Sequence, residues 1–146
     1  MENIVVGIDG SNAADAALQW AAAEATAHGC RLVAIHTWSV PVSAGSAFAP
    51  GIAFDPAELE TAAKDVLSSA LDRVLGNART CLTVDEVVAT GSASEALLHH
   101  AKGARLLVVG TRGHGGFAIL LLGSVSQQCA HHATCPLVIV PPSAVR

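Results

Sequence analysis

Short β-branched runs alternate along the chain with longer stretches of helical character. Asn3 to Asp9 is almost continuously apolar, the pattern of a strand buried on both faces. Ser11 offers an N-cap to an alanine-rich helix that runs to His28, where Gly29 stops it. Arg31 to Thr37 reads as the second strand. The stretch from Ser39 to Phe54 is rich in Pro, Gly, Ser and Ala and has no periodicity; loops of that length carry function or move. Asp55-Pro56-Ala57-Glu58 opens a helix with an N-cap, a proline at the first helical position and an acid at the third. That helix runs to Leu75, before Gly76-Asn77. Thr83 to Thr90 is the third strand. Ser92 and Glu95 have capping-box spacing and open a helix to Lys102, closed by Gly103. Arg105 to Gly110 is the fourth strand, and a glycine-rich loop follows. Gly123-Ser124 leads into a helix ending near Ala133, and Pro136 to Val140 is the last strand, closed by Pro141-Pro142.

Five strands and four helices in strict alternation predict an α/β fold. The expectation is one domain over residues 1–146: a single open five-stranded parallel sheet with helices on both faces. Such sheets bind ligands outside the carboxyl ends of their strands, near a switch point in strand order. That rule singles out Asp9, the end of the second strand and the loop after Val109.

Composition narrows the picture. The 146 residues are 51% hydrophobic and 14% charged, with a formal net charge of -4. The acidic balance argues against a nucleic-acid surface, and the apolar content against disorder. Mean hydropathy is +0.48, yet the longest apolar run, Phe117 to Leu122, is far short of the ~20 residues of a spanning helix. Glu2 and Asp9 do not fit a signal peptide. The expectation is a cytoplasmic protein with no membrane partner. Cys30, Cys81, Cys129 and Cys135 form no Cys-x-x-Cys pair and read as reduced thiols.

The chemistry concentrates in Gly110-Thr111-Arg112-Gly113-His114-Gly115-Gly116 and, after Phe117 to Leu122, in Gly123-Ser124-Val125-Ser126. Glycines let main-chain N–H groups approach an anion, and a helix start favours phosphate. Ser124 and Ser126 add hydroxyls; Arg112 and His114 add positive charge. The alternative is a tight turn in which Ser124 is an N-cap. The segment is not a P-loop, a Gly-x-Gly-x-x-Gly dinucleotide loop or a nucleophile elbow.

Gly110-x-x-Gly113, nine residues, then Gly123-Ser124 resembles the nucleotide-binding pattern of the universal stress protein family, in its ATP-binding branch. Val6-Gly7-Ile8-Asp9-Gly10-Ser11, Ile35-His36-Thr37-Trp38 and Cys135-Pro136-Leu137-Val138-Ile139-Val140 extend the resemblance over essentially the whole chain. It implies a Rossmann-like sheet of order 3-2-1-4-5 that binds adenine nucleotides. It puts Asp9 beside ribose and phosphate, where an acid makes physical sense binding a ribose hydroxyl or helping to hold Mg²⁺, and Thr37 against adenine. Gly7 and Ala89 would lie near the pocket wall. Gly110, Thr111, Arg112, Gly113 and His114 would belong to the phosphate loop, completed by Gly123, Ser124, Val125 and Ser126. It also implies a homodimer through Leu137 to Val140, an apolar strand at the chain end whose edge invites pairing.

Plainer readings stand beside these. Asp9 before Gly10-Ser11 is also a turn pattern. His36 reads as a satisfied histidine at a strand end. The pairs His99-His100 and His131-His132 are adjacent, which points neighbouring side chains apart on a helix and argues against a metal site. His100, His131 and His132 suit helix C-termini. Trp20 and Trp38 read as core, with Trp38 a candidate adenine neighbour.

The leading functional expectation is an ATP-binding stress-response module with slow or no hydrolysis and no assigned catalytic residue. The alternatives are a cyclic AMP or AMP sensor, and an interaction module without nucleotide. An ATP-pyrophosphatase-type enzyme would carry paired glycines after the first strand, where this chain has Gly10-Ser11-Asn12.

Overall fold

The computed structural model describes residues 1–40, 54–112 and 122–142. Most of the loop read from Ser39 to Phe54 lies outside them, as do Gly113 and His114. The chain runs β1 (Asn3–Gly7), α1 (Asn12–His28), β2 (Arg31–Trp38), α2 (Pro56–Leu75), a 3₁₀ helix (Gly76–Cys81), β3 (Val84–Thr90), α3 (Ala93–His100), β4 (Leu106–Gly110), α4 (Ser124–His132) and β5 (Leu137–Val140). The five strands form one parallel sheet of order β3-β2-β1-β4-β5.

Helix starts follow the expected chemistry. Ser11 Oγ accepts from Ala14 N–H, Asp55 Oδ1 from Ala57 N–H and Ser92 Oγ from Glu95 N–H. Gly29 ends α1 in the left-handed region at φ 63°. The 3₁₀ helix was not foreseen. Arg79 holds it, pairing with Asp72 on α2 and Glu86 on β3.

Alternation along the strands builds two cores. Ile4, Val6, Leu32, Ala34 and Val108 face Leu18, Leu67 and Leu71 of α1 and α2. Val5, Val33, Ile35, Leu107 and Val109 face Leu97 and Cys129 of α3 and α4. Seven alanines of α1 are buried. These small side chains bring α1 so close to the sheet that a Cβ on Gly110 would lie 2.7 Å from the carbonyl carbon of Ala13. Trp20 packs, partly buried, against the first core.

One boundary differs in a way that shapes the site. The first strand was expected to reach Asp9 but ends at Gly7. Ile8 donates its N–H to Ile35 C=O at 2.8 Å, and the chain then turns through Gly10 at φ 81°. Only glycine readily takes that angle.

Candidate functional site

The order β2-β1-β4 sends the chain to opposite sides of β1, so loops diverge above its carboxyl end. A crevice of about 230 Å³ lies there. It gathers Gly7, Asp9, Thr37, Gly110, Arg112, Gly123, Ser124, Val125 and Ser126 from elements up to 119 residues apart in sequence (126 − 7). Ala89 and Thr111 are not among its lining residues, nor is Trp38.

Asp9 sits in a local turn. Its Oδ1 accepts from Ser11 N–H at 2.9 Å and from Ser11 Oγ–H at 2.5 Å. Both the turn reading and the crevice placement therefore hold, because Oδ1 fastens the turn and the second carboxylate oxygen has no partner among the described residues.

Thr37 gains its character from the end of β1. In a parallel ladder, alternate residues direct their N–H and C=O to the same neighbouring strand. Ile35 C=O receives Ile8 N–H, so Thr37, two residues on, also faces the β1 side. The next rung would run from Thr37 N–H to Ile8 C=O. It is not formed among the described residues. His36 Nδ1 takes the Ile8 carbonyl instead, at 2.8 Å. A carbonyl can only accept, so Nδ1 carries the proton. His36 is thus the satisfied strand-end histidine that the sequence indicated, and it also lines the crevice.

Thr111 acts behind the site. Its N–H donates to Val140 C=O at 3.0 Å, and its own C=O accepts Gly123 N–H at 2.7 Å. Thr111 and Gly123 are thereby held side by side. Ser126 is buried and its Oγ lies 3.0 Å from both Thr111 C=O and Gly123 C=O, to either of which it can donate.

The N-cap of α4 is Gly123, with no side-chain cap bond; Ser124 is the first helical residue and not the cap. The first N–H that closes the helix is that of Gln127, onto Gly123 C=O. The N–H groups of Ser124, Val125 and Ser126 precede the helical ladder, and all three residues line the crevice.

Sequence reasoning missed the apolar wall: Ile35, Val109, Ala93 and Leu97. Ala93 and Leu97 are four apart on α3 and so share a face, a signal that could have found them. Ile8, Ser11 and Ala14 also border the crevice. Among the described residues, no three His, Cys, Asp or Glu side chains are grouped to hold a metal ion, and no helix is long and apolar enough to cross a membrane.

Comparison with known proteins places this geometry. The profile described as Universal stress protein family matches residues 1–141. A universal stress protein of Thermus aquaticus is 37% identical over 145 residues, covering 95% of this chain and 98% of that protein. One from Mycolicibacterium smegmatis is 36% identical over 141 residues, covering 95% of this chain and 45% of that protein. The chain thus spans about half the length of such mycobacterial relatives. Among solved structures, a universal stress protein in complex with cAMP aligns with TM-score 0.70 and 24% identity, covering 97% of this chain and 98% of that one. The Archaeoglobus fulgidus protein in complex with dAMP aligns with TM-score 0.68 and 22% identity, covering 96% and 98%. The structural likenesses show a shared fold, and the sequence matches carry the assignment: this chain belongs to the universal stress protein family.

Proposed function

We propose that the chain is an adenine-nucleotide-binding regulatory module. The observation that carries the reading is one crevice with three kinds of group: an open strand-edge peptide at Thr37, a carboxylate at Asp9 and an uncapped helix start at Ser124–Ser126. The Thr37 N–H and C=O match the acceptor and donor on the Watson–Crick edge of adenine. Ile35, Leu97 and Val109 supply an apolar slot for the ring. The free Asp9 oxygen suits a ribose hydroxyl. The α4 N–H groups, helped by the helix dipole, suit phosphate.

ATP is the nucleotide that the resemblance of Gly110-x-x-Gly113 and Gly123-Ser124 to the family's ATP-binding branch implies. AMP or cyclic AMP is the second reading, favoured by the relatives of this fold whose structures hold cAMP and dAMP. Asp9 has an oxygen to offer Mg²⁺, and the metal would take its other ligands from phosphates and water. No side chain is assigned to hydrolysis: of the ionisable groups lining the crevice among the described residues, Asp9 fastens the turn through one oxygen, His36 holds the Ile8 carbonyl, and Arg112 is a cation that cannot act as a base. The chain is also proposed to form a homodimer through β5, which among the described residues is a sheet edge paired with β4 alone.

The test is to denature freshly purified protein, identify released nucleotide by chromatography, and titrate ATP, AMP and cyclic AMP by calorimetry. Bound adenine nucleotide supports the reading and names the ligand. No release, no heat and no shift in Tm would leave the interaction module as the function.

A further inference from the structure

Resting on the adenine-nucleotide reading, we infer that His36 is a positioning residue for base recognition: its imidazole takes the Ile8 carbonyl out of the sheet ladder and so leaves the Thr37 N–H open to the base.

Ile8 is half of a ladder pair. Its N–H is bonded to Ile35 C=O as a β1–β2 rung requires, and its C=O is positioned one rung from Thr37 N–H. Continuing that rung would extend β1 to the Ile8–His36 pair and consume the donor at Thr37. His36 Nδ1–H meets the carbonyl at 2.8 Å in its place. The following residues hold the same departure: Asp9 Oδ1 takes Ser11 N–H, and Gly10 adopts φ 81°. A side chain of β2 therefore ends the pairing of β1, and the peptide of the next β2 residue is left facing the crevice. The carbonyl needs a donor, and without the imidazole the nearest backbone N–H facing it across the ladder is that of Thr37.

Asparagine and glutamine separate this role from bulk. The Asn amide nitrogen falls near the position of histidine Nδ1, whereas the Gln amide reaches the position of Nε2. His36→Asn is expected to preserve the site; His36→Gln and His36→Leu are expected to close it. In nucleotide-free protein, hydrogen exchange by NMR is expected to show the Thr37 amide exchanging at least ~100-fold faster than that of Ile35, a difference typical of paired and unpaired amides. His36→Leu should protect Thr37, and His36→Asn should not. In calorimetry, His36→Leu and His36→Gln should weaken AMP about tenfold and reduce the preference for AMP over IMP, whose ring edge reverses the donor and acceptor. His36→Asn should stay within about threefold of the parent, roughly the spread between equivalent hydrogen bonds.

A Thr37 amide already protected in the nucleotide-free parent would overturn the inference, as would identical behaviour of the Asn and Leu variants. The exchange arm needs no nucleotide, so it separates the two readings. An open Thr37 in a protein that binds neither AMP nor IMP would overturn adenine as the occupant. Circular dichroism of each variant establishes that it is folded.

Discussion

Gly110 and the backbone of Ala13 meet so closely that a Cβ at Gly110 would sit 2.7 Å from the Ala13 carbonyl carbon and 2.9 Å from its oxygen. The clash would be with main chain, which cannot swing aside. Gly110 is therefore a packing residue where β4 passes beneath the start of α1, whatever its part in a phosphate loop. Gly110→Ala is expected to cost about 1–3 kcal/mol of stability, the usual cost of overpacking. Gly7→Ala should cost less, because its new methyl would meet the Leu97 side chain at 3.1 Å, which can shift. Urea denaturation of both variants checks the order.

Ser11 and Asp9 separate turn from ligand. Ser11→Ala removes the α1 cap and should lose about 1 kcal/mol. Asp9→Asn keeps an acceptor for Ser11 N–H but removes the charge. It should hold the Tm within a few degrees, as expected for a change of under ~1 kcal/mol, while weakening Mg²⁺-ATP about tenfold. Equal losses of stability and affinity would make Asp9 a turn residue only.

Gly123→Asp should move stability and binding in opposite directions. The cap position has φ -75°, which any residue adopts, and aspartate there gives α4 the side-chain cap that it lacks. The Tm should be unchanged or higher. The new carboxylate would occupy the α4 N–H groups and repel phosphate, so nucleotide affinity should fall at least ~10-fold. Thermal melting and calorimetry on one sample read both.

Thiol reactivity should rank Cys81 first and Cys129 last. Cys81 is exposed; Cys129 is buried on the core-facing side of α4, and burial pushes its thiol up to about 11. At pH 8 that leaves roughly a thousandth of Cys129 as the reactive thiolate, and the fraction rises tenfold per pH unit up to that value. Burial also raises Cys135. Timed alkylation with mass spectrometry checks the ranking; early labelling of Cys129 in folded protein would contradict it.

Ile139→Pro tests the β5 dimer. Leu107 N–H and Thr111 N–H bond Pro136 C=O and Val140 C=O, so residues 136, 138 and 140 face β4 and Ile139 faces outward. Proline at 139 removes an outward N–H and spares the β4 ladder. Sedimentation should show a dimeric parent and a monomeric, folded variant. A variant that remains dimeric would place the interface elsewhere.

The sequence by itself determined the layers and most of the element limits. Buried parallel strands are apolar on both faces, and serine, aspartate and glycine punctuate helices by local hydrogen bonds and backbone angles; such signals are complete within a few residues, as at Ser11, Asp55, Ser92 and Gly29. The glycine spacing and family resemblance likewise brought Asp9, Thr37, Gly110 and Gly123–Ser126 into view, and they do share one crevice. What only tertiary structure decided depends on partners distant in sequence. Arg79 finds both its carboxylates through the 3₁₀ helix that it holds. Gly110 is glycine because of Ala13, 97 residues earlier (110 − 13). Thr111 has both its backbone groups taken by Val140 and Gly123, partners 29 and 12 residues away (140 − 111 and 123 − 111). His36 takes the carbonyl of Ile8, 28 residues before it and just past the end of β1, since a side-chain donor outcompetes a backbone rung only where the fold sets both beside the same carbonyl.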